Sequence, residues 1–277
     1  MLADTKTVLH AVFGHPVAQS LSPAMHNRAF QELGLNCVYL AFDVTDIGSA
    51  MNAVRALGIR GASVTIPHKV KVMEYLDEVD AAARRMGAVN TVLNEGGRLI
   101  GSNTDGPGAV AALREITELS GKTLLLLGSG GAARAIAHAA RAEGAAIVIG
   151  NRVEDRAEAE ALASEVDAAF APLGDVRSVA CDIVVNATPI GMAPHVEASP
   201  VPADLLRKGM AVMDIVYNPI ETRFLREARE KGASTVDGAA MFVYQGAAQF
   251  SLWTGRTAPV ALMRRVVLEK LSAKERG

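Results

Sequence analysis

The chain has 277 residues, enough for one large or two medium domains, and at 50% hydrophobic it can fill a sizeable core. Its formal net charge of −2 and pI of about 6.3 exclude a basic surface of the kind that binds nucleic acid. Two cysteines and six histidines, with no Cys-x-x-Cys or His-x-x-x-His spacing, give neither a disulfide framework nor a zinc site.

The first residues, Met1-Leu-Ala-Asp-Thr-Lys6, lack the basic region and apolar core of a signal peptide, and no apolar run reaches membrane-spanning length unbroken. A soluble, cytoplasmic protein is expected, with no membrane partner. Val8 to Gly14 reads as a strand. Ser22 to Gly34 reads as a helix, with Ser22 as N-cap, Pro23 at its start and Gly34 past its end. Val38 to Val44 is a strand, Asp46 to Leu57 a helix ending at Gly58, and Gly61 to Pro67 a strand. Asn90 to Ser102 reads as a hairpin turning at Glu95-Gly-Gly97. Cys37 and Cys181, both beside apolar runs, are expected as buried core thiols.

A second α/β series starts at Lys122. Thr123-Leu-Leu-Leu-Leu-Gly128 is a short, wholly apolar strand, as in a parallel sheet covered on both faces. A helix over Gly130 to Ala142 and a strand over Ala145 to Gly150 follow. Further strands are Asp182 to Ala187 and Met210 to Ile215, with helical stretches between and after them, including Glu221 to Lys231. The last helices are Ala239 to Trp253 and Val260 to Leu271. The alternation predicts two α/β domains. Residues 1–104 form the first, with 239–277 packing back on it, and residues 105–238 form a second of Rossmann type.

Gly128-Ser-Gly-Gly-Ala-Ala133 follows a strand and opens a helix, the context of a dinucleotide-binding turn. Gly128 permits the tight turn, Gly130 and Gly131 let backbone approach a pyrophosphate, and Ala132 and Ala133 let helix and strand pack closely. The end of the next strand, where an NAD enzyme places an acid, reads Asn151-Arg152. A guanidinium suits a 2′-phosphate, so NADP is favoured, although Glu154 and Asp155 lie nearby. Upstream, Lys69 closes Ser63-Val-Thr-Ile-Pro-His-Lys69 and Asp105 closes Gly101-Ser-Asn-Thr-Asp105. An ammonium that can give a proton, a carboxylate that can hold it and a dinucleotide cradle suggest reversible hydride transfer to a ketone. Asp105 can equally serve as a helix N-cap, and the two roles are compatible.

These motifs together resemble the shikimate dehydrogenase family. The resemblance rests on Gly14-His-Pro-Val-Ala-Gln-Ser-Leu-Ser-Pro-Ala-Met-His-Asn27, Val64-Thr-Ile-Pro-His-Lys69, Gly87-Ala-Val-Asn-Thr91, Asn103-Thr-Asp-Gly106, the glycine turn, Asn186-Ala-Thr-Pro-Ile-Gly-Met192, Asp214-Ile-Val-Tyr-Asn-Pro219 and Asp237-Gly-Ala-Ala-Met-Phe-Val-Tyr-Gln245. It implies NADPH-linked reduction of 3-dehydroshikimate to shikimate, on the way to aromatic amino acids through chorismate, in a cleft between the two domains. Carried over by residue, Ser20 and Ser22 hold the substrate carboxylate with help from Tyr217. Thr65, Asn90 and Gln245 bond the ring hydroxyls, and Lys69 and Asp105 form the catalytic dyad. Gly128, Ser129, Gly130, Gly131, Ala132, Asn151, Arg152, Arg156, Ile215 and Gly238 meet the cofactor. No metal is implied, and a monomer or homodimer is expected. Two departures stand out: Gln19 replaces a frequent histidine, and Val153 replaces the threonine of Asn-Arg-Thr, which removes a hydroxyl near the 2′-phosphate. An NAD-linked quinate/shikimate dehydrogenase and a non-catalytic NADP(H)-binding sensor are the alternatives.

Overall fold

Val8 to Gly14 carries apolar residues at nearly every position and becomes a strand with neighbours on both edges. In a computed structural model, which describes residues 3–274, this first series runs β1 (Val8–Gly14), α1 (Ser22–Glu32), β2 (Cys37–Asp43), α2 (Ile47–Ala56), β3 (Gly61–Val64), β4 (Glu78–Val79), α3 (Ala81–Met86), β5 (Thr91–Glu95) and β6 (Arg98–Ser102). The sheet order is β2-β1-β3-β5-β6-β4. β1 is parallel to β2 and β3, whereas β5 is antiparallel to β3 and β6, so the sheet is mixed. Ala11, Phe13, Met51, Val54, Val64, Val92 and Leu99 share one buried cluster between this sheet and α2.

The second series runs α4 (Asp105–Leu113), β7 (Thr123–Leu127), α5 (Gly131–Ala142), β8 (Ala146–Asn151), α6 (Arg156–Glu165), β9 (Ala169–Pro172), β10 (Ile183–Asn186), β11 (Ala211–Asp214), α7 (Arg223–Glu230) and β12 (Ser234–Val236). α8 (Gly238–Thr254) and α9 (Val260–Lys274) complete the chain order. The second sheet is parallel throughout, in the order β12-β11-β10-β7-β8-β9. Leu124 to Leu127 are wholly buried because alternate side chains meet opposite layers. Leu124 and Leu126 pack with Ala133, Ile136 and Ala137 of α5; Leu125 and Leu127 pack with Phe224, Leu225 and Ala228 of α7. Each buried leucine is worth about 1.5–3 kcal/mol.

The chain divides into two units: residues up to Thr104 with Gln245–Ala273, and Asp105–Tyr244. α8 is counted with the second unit as far as Tyr244 and with the first from Gln245. The expected helices and strands are present, with shifted ends. Ser22 is not the N-cap of α1; Leu21 holds that place, with no side-chain cap bond, and the Ser22 hydroxyl interacts with Tyr39 instead. β3 stops at Val64, short of the expected Pro67. Gly130 is the N-cap of α5 rather than its first residue. Cys181 is buried, but Cys37 is only partly covered on the edge strand β2. No helix among the described residues is long and apolar enough to cross a membrane.

Candidate active site

In the first unit a chain of buried hydroxyls and amides crosses from β2 to α8. Tyr39 donates its hydroxyl hydrogen to Ser63 Oγ (2.6 Å), and Ser63 donates to Gln249 Oε1 (2.7 Å). Gln249 Nε2 donates to Thr91 Oγ1 (2.9 Å) and to the Asn90 carbonyl (3.2 Å). Thr91 donates to Asn90 Oδ1 (2.6 Å), which also accepts the Thr104 amide (2.8 Å). Asn90 Nδ2 donates to Thr104 Oγ1 (3.1 Å). Each of these side chains is buried, so the bonds are obligatory: an unpaired member would keep its desolvation cost.

Of the expected substrate residues, Asn90 is a link of this chain, and Ser22, Thr65 and Gln245 lie next to its members. Ser22 is buried beside Tyr39, and its amide donates to Ser20 Oγ (3.3 Å), which fixes the two hydroxyls in one turn. Thr65 follows β3 and is tied to β1 through its amide on the Phe13 carbonyl (2.9 Å). The preceding Val64 amide donates to the Asn90 carbonyl (2.8 Å), so Thr65 and Asn90 are neighbours. Gln245 lies one helical turn before Gln249 on the same face of α8. Tyr217 stands in the other unit, partly exposed, its ring tilted on Phe242 at 5.6 Å.

Lys69 ends a pinned turn. His68 Nε2 bonds the Val44 carbonyl (2.6 Å), the His68 amide donates to Thr65, and the Lys69 carbonyl accepts the Val89 amide (2.8 Å). Lys69 itself is half-buried. The dipeptide 89–90 thus holds Lys69 through its backbone on one side and Thr104 through the Asn90 side chain on the other. Asp105, which follows Thr104 and opens α4, is buried. Through Val89 the backbone of Lys69 is tied to the segment that carries Asn90.

In the second unit the sheet reads β9-β8-β7-β10-β11-β12, the 3-2-1-4-5-6 order whose ligands bind beyond the carboxyl ends of the strands. Gly128 follows β7 with φ of +105°, and a Cβ there would stand 3.0 Å from Thr188 Cγ2, so glycine is required. A Cβ on Gly130 or Gly131 would meet nothing within 4 Å, and α5 has no side-chain cap. Free amides at a helix start with open space before them suit a phosphate. Ser129 is buried and accepts a bond from Asn151 Nδ2 (2.9 Å); Asn151 Oδ1 accepts the Arg152 amide (2.9 Å). Arg152 follows β8 and Arg156 opens α6, each paired with a carboxylate, Asp155 (2.6 Å) and Glu160 (2.8 Å). A Cβ on Gly238 would collide with the Ile215 carbonyl, so those two residues lie against each other. Ala132 is half-buried and Ala133 buried against the sheet.

Fold and cradle define a two-unit α/β dehydrogenase of the dinucleotide-binding class. The comparisons with known proteins agree. The family model "Shikimate dehydrogenase substrate binding domain" matches residues 12–92, and "Shikimate 5'-dehydrogenase C-terminal domain" matches residues 238–268. A shikimate dehydrogenase (NADP(+)) of Moorella thermoacetica is 49% identical, over 98% of this chain and 96% of the relative. A crystal structure of a shikimate dehydrogenase in complex with NADP+ is 43% identical with a TM-score of 0.90, covering 98% of each chain. That of the Thermus thermophilus enzyme with NADP(H) and shikimate is 42% identical with a TM-score of 0.88, covering 95% of this chain and 99% of the other. The chain belongs to the shikimate dehydrogenase family.

Five polar residues central to this geometry are absent from the sequence reading as site members: Tyr39, Ser63, Thr91, Thr104 and Gln249, of which Ser63, Thr91 and Thr104 stand there only within the quoted motifs. Gln249 carries a signal, its four-residue spacing from Gln245 on one helical face. Tyr39 and Ser63 carry none, because strand position alone does not say which hydroxyl meets which amide.

Proposed function

We propose that this protein catalyses the NADPH-dependent reduction of 3-dehydroshikimate to shikimate and its reverse, a step toward aromatic amino acids. The observation that carries the proposal is the buried hydroxyl and amide chain from Tyr39 to Thr104, which ends beside the Lys69 turn. A site lined by such groups favours a polyol acid and rejects analogues that leave its donors unpaired. Ser20 and Ser22 hold the carboxylate with Tyr217, and Thr65, Asn90 and Gln245 hold the ring hydroxyls. The chain's cradle suits NADP: amides from Gly130 to Ala132 would hold the pyrophosphate, Ser129 and Asn151 brace the turn, and Arg152 and Arg156 would supply charge for the 2′-phosphate. Ile215 and Gly238 would complete the cofactor site. Bound NADPH supplies the hydride that adds to the carbonyl carbon. Lys69 stabilises the charge that develops on the carbonyl oxygen and gives that oxygen a proton. Asp105 orients the Lys69 ammonium and, in the oxidative direction, takes up through Lys69 the proton that leaves the substrate hydroxyl. Arg152 at the end of β8, where an NAD enzyme carries an acid, supports NADP over NAD. Its place of work is the cytoplasm, where the thiols Cys37 and Cys181 stay reduced.

Initial rates with shikimate and quinate, each against NADP and NAD, test the proposal. Shikimate with NADP is expected to give the largest kcat/KM of the four. A larger value for quinate with NAD would replace it with the quinate reading, and no turnover in any pair would leave a cofactor-binding protein.

A further inference from the structure

Asp214 is a wholly buried carboxylate at the end of β11 that the chemistry above leaves unused. It stands opposite Asn186, the last residue of β10. Its Oδ1 accepts Asn186 Nδ2 (2.9 Å) and the Val216 amide (3.0 Å); its Oδ2 accepts the Thr222 hydroxyl (2.7 Å). Asn186 carries the hold further. Its Oδ1 accepts the Thr188 amide (3.1 Å) and hydroxyl (2.6 Å), and its Nδ2 also donates to the Ile190 carbonyl (3.1 Å). One carboxylate therefore grips the start of the loop after β11 directly and the turn after β10 through Asn186. Both segments border the cradle: Thr188 abuts Gly128, and Ile215 abuts Gly238.

We propose that Asp214 is a positioning residue for the cofactor, locking the turn at 187–190 and the loop that begins at Ile215 against the Gly128 turn. The proposal rests on the reading of this sheet edge as the NADP site. The donors that face the carboxylate, Asn186 from β10 and Val216 and Thr222 from the chain after β11, are neutral, and the shift of its pKa has no contribution from a charged neighbour. Burial raises that pKa from the ordinary 3.8 to about 6 against the three bonds that lower it. A protonated carboxyl would turn an O–H toward one of three donors and loosen the hold, so cofactor affinity is expected to fall as pH drops through 6.

The test compares the full-length protein with Asp214→Ala, Asp214→Asn and Thr222→Val. Amide hydrogen exchange without cofactor, NADP titration calorimetry at pH 7.5 and 5.5, and KM for NADPH and 3-dehydroshikimate are measured. Asp214→Ala is expected to exchange at least tenfold faster at 187–190 and 215–219, with the rest of the second sheet unchanged. It should also bind NADP at least tenfold more weakly, with a smaller rise in KM for 3-dehydroshikimate, because Tyr217 lies in the loosened loop. Asn at 214 still accepts at Oδ1 and donates to Thr222, so Asp214→Asn should recover most of the affinity at pH 7.5 and flatten its pH dependence. Thr222→Val removes one donor and should fall between; it carries the test if Asp214→Ala does not fold. Unchanged local exchange and NADP affinity in Asp214→Ala and Thr222→Val would overturn the proposal, as would faster exchange spread evenly over the second unit. If the parent protein bound no NADP, the cofactor reading would fail, and the exchange data would still decide whether Asp214 holds the two segments.

Discussion

Acidification from pH 7.5 to 5 should weaken the first unit through two histidines and not the second. His10 and His26 are buried among Phe30, Tyr39, Phe250 and Trp253, and neither ring makes a hydrogen bond of normal geometry. His26 stacks on Tyr39 at 4.5 Å. Burial lowers the His10 pKa from 6.5 to about 4 and, with a further push from His10, the His26 pKa to about 3. The unfolded chain takes up protons near pH 6.5 and the folded chain only near 4 and 3, so between these values acid favours unfolding. At pH 5 the unfolded state gains about 2 kcal/mol from each histidine, ~4 kcal/mol together, a large share of a typical domain's ~5–15 kcal/mol. Asp214 acts with the opposite sign. Its folded carboxyl protonates near 6, before the unfolded one at 3.8, so the same acidification favours the folded second unit by ~1 kcal/mol. Trp253 is the sole tryptophan and lies 5.5 Å from both histidine rings, so its fluorescence in urea titrations reports on the first unit. His26→Leu should cut the acid loss by about half, and adding His10→Leu should nearly abolish it. At pH 7.5 His26→Leu breaks no hydrogen bond and should cost little. An acid loss of full size in the double variant would refute this account of the two rings.

Two further outcomes follow from the site. Arg152→Ala should lower kcat/KM for NADP about tenfold, the lower end of what a charged hydrogen bond contributes at an exposed position, and leave that for NAD nearly unchanged; an unchanged ratio of the two constants would remove Arg152 from the 2′-phosphate. Gln249→Leu strands Ser63 and Thr91, so it should destabilise the first unit by about 2–4 kcal/mol in urea melts and raise KM for shikimate with KM for NADP little changed.

Much of the fold was legible because local signals agree with it. Gly34, Gly58 and the Glu95-Gly-Gly97 turn mark ends that the structure keeps, with positive φ at Gly34, Gly58, Gly96 and Gly97. The four leucines of β7 announced a strand covered on both faces. Ser22 misled because serine before proline is the pattern of a cap, and only the distant Tyr39 reveals where its hydroxyl turns. The β5–β6 hairpin is the one expected, but the two-residue β4 and the antiparallel pairing of β5 with β3 were not legible, since pairing across a sheet depends on partners far apart in sequence. The same holds for the site: Lys69, Asp105 and the glycine turn stand in compact motifs, whereas Ser63 to Gln249 spans 186 residues and Asp214 to Thr222 acts through burial.

The most direct measurement is turnover of Lys69→Ala beside its affinity for shikimate. In the role proposed for it Lys69 acts on charge and proton in the transition state, so kcat for shikimate oxidation with NADP should fall by ~10²–10⁴ while the shikimate Kd changes only a few fold. Turnover close to that of the parent protein, or a loss confined to shikimate binding, would contradict the assignment of Lys69 as the group that exchanges a proton with the substrate oxygen.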